Sequence, residues 1–91
     1  MKVVYHRGAL RDLAAIRDYI ARNDPVAAQK VIARIEKVAN HLSKSPYIGR
    51  PGPRGARLLS VARLPYVVIP RIRGDAVSIV AIFHTARNRK F

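Results

Sequence analysis

The chain has 91 residues, of which eighteen are Lys or Arg and five are Asp or Glu, for a formal net charge of +13. That length holds one domain, residues 1–91, and a hydrophobic share of 49% is enough for a core, which argues against disorder. With no cysteine, a disulfide scaffold, thiolate metal sites and a cysteine nucleophile are excluded.

Residues 2–6 are short and β-branched, and they predict a first strand rather than a signal peptide. From Ala9 to Arg22 the apolar positions Leu10, Leu13, Ile16 and Ile20 recur at three- and four-residue steps, the period of an amphipathic helix. Asn23-Asp24-Pro25 ends that helix and starts another: Asp24 is a good N-cap, and Pro25 suits the first helical turn. The second helix is expected from Pro25 to Lys44, with Ala28, Val31, Ile35, Val38 and Leu42 as its stripe. So short a connection makes the two helices an antiparallel hairpin.

Residues 45–55 hold three prolines and three glycines, which predict a loop without regular structure. Three strands are expected after it, over 56–61, 66–72 and 77–84. Arg73-Gly74-Asp75 is the tight turn that makes the last two an antiparallel hairpin. Pro70 cannot donate to a ladder, so it marks an edge position or a bulge. In the last strand, strict alternation puts Val77, Ile79, Ala81 and Phe83 on one face and Ser78, Val80, Ile82 and His84 on the other. Both faces are largely apolar, so this strand is expected to be central and covered. Residues 85–91 form a short basic tail.

The predicted order β-α-α-β-β-β gives an α+β domain with the helical hairpin packed on a small, mainly antiparallel sheet. Within it, 1–45 is the first strand plus hairpin, 46–55 the Pro/Gly loop, 56–84 the sheet and 85–91 the tail. No apolar run approaches the ~20 residues that span a bilayer, so a cytoplasmic protein without a membrane partner is expected.

Thirteen of the eighteen basic residues are Arg, which pairs bidentately with phosphate and carboxylate. Residues 50–91 carry nine basic groups and a single acid, Asp75. Such a domain collects polyanions, and three partners fit the charge: nucleic acid, an acidic protein or an anionic membrane surface. His6, His41 and His84 have no metal-ligand spacing, and no cofactor motif is present, so neither a metal nor a cofactor is expected. RNA cleavage can run on arginine, histidine and tyrosine alone, and Arg57, Arg63, Arg71, Arg87, Tyr66 and His84 are the candidates. The residues alone favour His84 as a strand-end histidine bonded to backbone over a catalytic one, and Tyr66 as core with its hydroxyl at the rim. Tyr5, Leu10, Tyr19 and Val26 read either as core or as the rim of a partner groove.

The helix over 9–20, the Asn23-Asp24-Pro25 break, Pro46-Tyr47-Ile48-Gly49-Arg50 and the ending His84-Thr85-Ala86-Arg87 together resemble the RelE/ParE toxin superfamily of type II toxin–antitoxin systems. The resemblance implies growth arrest by the free toxin and an acidic antitoxin that wraps it in a hetero-oligomer. Tyr5, Leu10, Tyr19, Val26 and Arg71 are the expected antitoxin contacts. RelE-like members commonly carry an arginine inside the middle strand; here the stretch is Pro65-Tyr66-Val67-Val68-Ile69-Pro70, without one. The sequence is more similar to the ParE branch, which implies DNA gyrase as target, bound through Arg57, Arg63, Arg71 and Arg87, with no catalysis. The alternative is a ribosome-dependent mRNA endoribonuclease using His84, Arg87, Arg57 and Tyr66.

Overall fold

The structure is a computed structural model and describes residues 1–86. Strand β1 spans Lys2–Tyr5, helix α1 Arg7–Ala21 and helix α2 Pro25–Asn40. Strands β2 (Arg50–Pro51), β3 (Arg57–Ser60), β4 (Tyr66–Arg73) and β5 (Ala76–His84) follow. They form one mixed sheet in the order β1-β5-β4-β3-β2, in which β1 runs parallel to β5 and every other pair is antiparallel. The two helices pack on this sheet, as the α+β expectation required.

The helix boundaries have local causes. The His6 imidazole caps α1, its Nδ1 accepting the Gly8 N–H at 3.1 Å. The chain leaves α1 where the Asn23 and Asp24 N–H groups both donate to the Ile20 carbonyl. Asp24 then caps α2 as its residue type predicts, its Oδ1 accepting the Ala27 N–H at 3.0 Å. Helix α2 stops at Asn40 rather than Lys44. A 3-10 turn over His41–Ser43 carries Leu42 into the core, and the Ser43 hydroxyl donates to the Asn40 carbonyl.

The core joins α1, α2 and the sheet through Leu13, Ile16, Ile35, Leu42, Val68 and Ile79, among others. Helix α1 presents Ala9, Leu13 and Ile16 to it, whereas Leu10 is 54% exposed. Leu10 therefore leaves the predicted stripe, because Ala9 is the residue that meets the sheet.

Pro70 marks both features that the sequence offers, an unpaired edge and a bulge, because β3 pairs with β4 only at Val67 and Val68. It lies in β4, between β5 and β3, opposite an irregularity where Ile69 pairs with Ala81 and Pro70 with Ile79. Val80 is the extra residue of a β-bulge in β5, and the N–H that proline lacks would face the side where β3 no longer pairs. The bulge also resets the pleat. Val77, Ile79 and then Ile82 are the buried core residues of β5, so the strict alternation predicted from sequence breaks at Val80. A second departure lies in the Pro/Gly loop, which holds the two-residue strand β2. Gly49 precedes it at φ +107°, and a Cβ there would sit 2.8 Å from the Leu58 carbonyl oxygen. Only glycine allows β2 so close to β3.

Candidate functional site

Strand β3 pairs with β4 only at Leu59–Val68 and Ser60–Val67, and then turns away to pair with β2. The two strands splay, and the space between them is a cleft of about 500 Å³. Arg57 of β3 and Arg71 and Arg73 of β4 line it, with Pro46 and Tyr47 of the loop after α2. Arg57 also reaches the Gly49 carbonyl at 3.4 Å, a long contact that ties it to the loop. Arg71 also borders a second depression of about 380 Å³, with Arg54 and Pro53 at its rim and Ile69, Val80 and Ala81 on its floor. The bulge puts Val80 and Ala81 side by side there. Arg54, at φ 59°, is held in the left-handed region, which costs a non-glycine residue about 1 kcal/mol or more. Four guanidinium groups thus surround one corner of the sheet, with no Asp or Glu among the residues lining either depression.

The candidates from sequence separate into groups. Arg57 and Arg71 come together in the cleft. Arg63 does not: it is exposed at φ 66° in the turn between β3 and β4, before the other end of β4. At about 3.3 Å per residue, the five steps from Tyr66 to Arg71 span about 16 Å. Tyr66 and His84 are register partners at that far end, ring centroids 5.3 Å apart and planes at 89°. Tyr66 is 4% exposed and belongs to the core, and His84 Nδ1 accepts the Ala86 N–H at 3.1 Å. Arg87 lies outside the described residues. Of the described members of the nuclease set, Tyr66 and His84 are together at the start of β4, and Arg57 on β3 is apart from them.

The expected antitoxin contacts do not share one face either. Leu10, Tyr19 and Val26 are exposed. Leu10 and Tyr19 are nine residues apart, half a turn out of phase at 100° per residue, so they flank α1 on opposite sides. Tyr5 is half-buried, and its hydroxyl is buried without a hydrogen-bond partner among the described residues. Burial, and then the Glu36 carboxylate, push its pKa above the ordinary tyrosine value. Tyr5→Phe keeps the ring and removes the unpaired hydroxyl. It is expected to stabilise the fold by up to about 1 kcal/mol at neutral pH, measured by urea denaturation. The sign with pH follows from the raised value. The folded state favours the neutral phenol, so that contribution is complete below about pH 10 and is lost as pH rises through the raised folded value. The gain from Tyr5→Phe should therefore grow on the alkaline side.

Sequence reasoning missed Arg54 and Arg73 as cleft residues. The one available clue for Arg73 was its two-residue spacing from Arg71, which puts both on one face of β4. Nothing in the sequence places Arg54, because its position depends on the turn over Pro53–Gly55.

The chain is thus a two-layer α+β domain whose helical hairpin backs a five-stranded sheet, with arginines gathered where the sheet splays. The chain belongs to the ParE toxin family of the type II toxin–antitoxin system parDE, whose family model matches residues 3–89. It is 41% identical to Toxin RelE2 of Caulobacter vibrioides over 86 residues, 94% of this chain and 97% of that one. Its fold matches a structure of the chromosomal ParDE toxin–antitoxin system from P. aeruginosa, with a TM-score of 0.82 and 30% identity over 92% of this chain and 95% of the other.

Proposed function

We propose that this toxin arrests growth by binding DNA gyrase, without catalysing a reaction itself, and that a cognate acidic antitoxin neutralises it. What supports gyrase over RNA cleavage is the separation of the tyrosine–histidine pair from the arginine cleft. Arg57 lines the cleft while His84 pairs with Tyr66 at the start of β4, so the described residues do not gather the nuclease set around one phosphodiester. A binding face has no such requirement, and Arg57 and Arg71 are its central residues. Purified toxin is expected to inhibit gyrase supercoiling of relaxed plasmid in a dose-dependent way. Arg57→Ala combined with Arg71→Ala should raise the dose needed by at least about tenfold. Full supercoiling activity at saturating toxin would exclude this target.

The second candidate is ribosome-dependent mRNA cleavage, favoured by the name carried by the Caulobacter relative. Its signature would be codon-register cuts in translated mRNA after induction, abolished by His84→Ala.

A further inference from the structure

We propose that the depression between Arg54 and Arg71 is a binding site for a small phosphate monoester with a flat ring, the chemistry of a nucleoside 5′-monophosphate. This goes beyond the gyrase reading, because it gives the toxin a small-molecule ligand.

The shape comes first. The depression holds about 380 Å³, at the small end of the roughly 300–1,000 Å³ of small-ligand pockets. Its floor is apolar and spans two strands. Ile69 of β4 is 2% exposed, and Val80 and Ala81 of β5 lie beside it. In an unbroken strand Val80 and Ala81 would face opposite sides of the sheet, so the bulge is what brings both to the floor. Pro53 and Ala56 add apolar surface on the side of the turn. Such a floor takes a flat ring by contact. Apart from the two arginines, no lining side chain can read the ring's polar edge, so the site is tolerant of the base.

The charge comes second. Arg71 follows Ile69 by two residues in β4 and so projects on the same face. Arg54 stands on the turn over Pro53–Gly55, which is closed by the Gly52 N–H to the Ala56 carbonyl and the Ala56 N–H to the Pro53 carbonyl. Those bonds hold Arg54 at φ 59° before any ligand arrives, which leaves less ordering for binding to cost. No Asp or Glu lines the depression to compete. A phosphate monoester carries about −1.5 to −2 charge at pH 7 and three acceptor oxygens. Two guanidinium groups match that charge, whereas a side-chain carboxylate or a phosphodiester brings only a single one.

The test titrates the full chain with adenosine 5′-monophosphate by isothermal titration calorimetry at low salt. Saturable binding is expected, weakened at least about tenfold in Arg71→Ala and in Arg54→Gly. Glycine suits φ 59°, so Arg54→Gly should fold at least as stably as the unchanged chain. Ala81→Leu fills the floor and leaves both arginines, and it should weaken binding to the same degree. Ribose 5-phosphate lacks the ring and adenosine lacks the phosphate, so each should bind at least about tenfold more weakly. Affinity should also fall below about pH 6, where the phosphate takes up a proton. An oligo-dT with a 5′-phosphate that displaces the nucleotide would identify a strand end as its source; failure to displace it would leave the free nucleotide. Equal displacement by the same oligo-dT without the 5′-phosphate, equal binding of inorganic phosphate, or no binding of the nucleotide would overturn the proposal. The gyrase assay reads a separate property: nucleotide binding with intact supercoiling removes the gyrase target alone, and inhibition of supercoiling without nucleotide binding removes only this inference.

Discussion

Asp12→Ala is expected to cost about 2 kcal/mol of folding stability, with a fall in Tm on the order of 10 °C for a domain of this size. The cause is a single backbone donor. Strand β1 accompanies β5 only as far as Ile79, where the His6 N–H donates to the Ile79 carbonyl at 2.9 Å. Beyond that point no strand among the described residues lines this side of β5. The bulge at Val80 shifts the alternation by one, and the Ile82 N–H points out of the ladder towards α1. The Asp12 carboxylate accepts it at 2.9 Å. Removing the carboxylate leaves a buried N–H unpaired, which costs more than the bond itself contributes. Asp12→Asn retains a carbonyl acceptor and should lose less than half as much. Equal losses from both, measured by thermal denaturation, would show that charge rather than this hydrogen bond matters.

Ile35→Ala should be more damaging still, at about 3–4 kcal/mol. Ile35 is fully buried in the cluster that joins α2 to the sheet. Its truncation removes apolar contact and leaves a cavity that helix and sheet cannot both close over. Against the ~5–15 kcal/mol that holds a typical domain, this is a large fraction. Chemical denaturation of the variant, with Val26→Ala as control, measures it. Val26 is 61% exposed on the same helix and should change stability by no more than about 0.5 kcal/mol. A loss below about 1 kcal/mol at Ile35 would mean that α2 is not packed as described.

These two residues differ in how visible they are in the chain. Ile35 sits in a 3-4-3-4 apolar stripe, and the stripe alone marks it as core. Asp12 looks like any solvated acid on the first helix. Its role arises from the end of β1, the bulge in β5 and the position of α1, three features that meet only in the folded protein. The cleft divides in the same way. The excess of arginine after residue 50 is plain in the chain, and Arg57 and Arg71 are legible as members of one small sheet. Their union with Arg54, Arg73 and Tyr47 is not, because it depends on β3 leaving β4 two residues after they pair.

The sequence by itself determined the α+β class, the hairpin with its Asp24 cap, the antiparallel pairing of β4 with β5, and a charge of +13. All of these rest on short-range regularities: apolar period, cap and turn chemistry, and composition. Tertiary structure decided the parallel placement of β1 beside β5, the bulge opposite Pro70, and the separation of Tyr66 and His84 from the arginines. Those depend on which distant segments meet and in what register. No local pattern encodes that, because register is set by the competition of all the strands for one shared core.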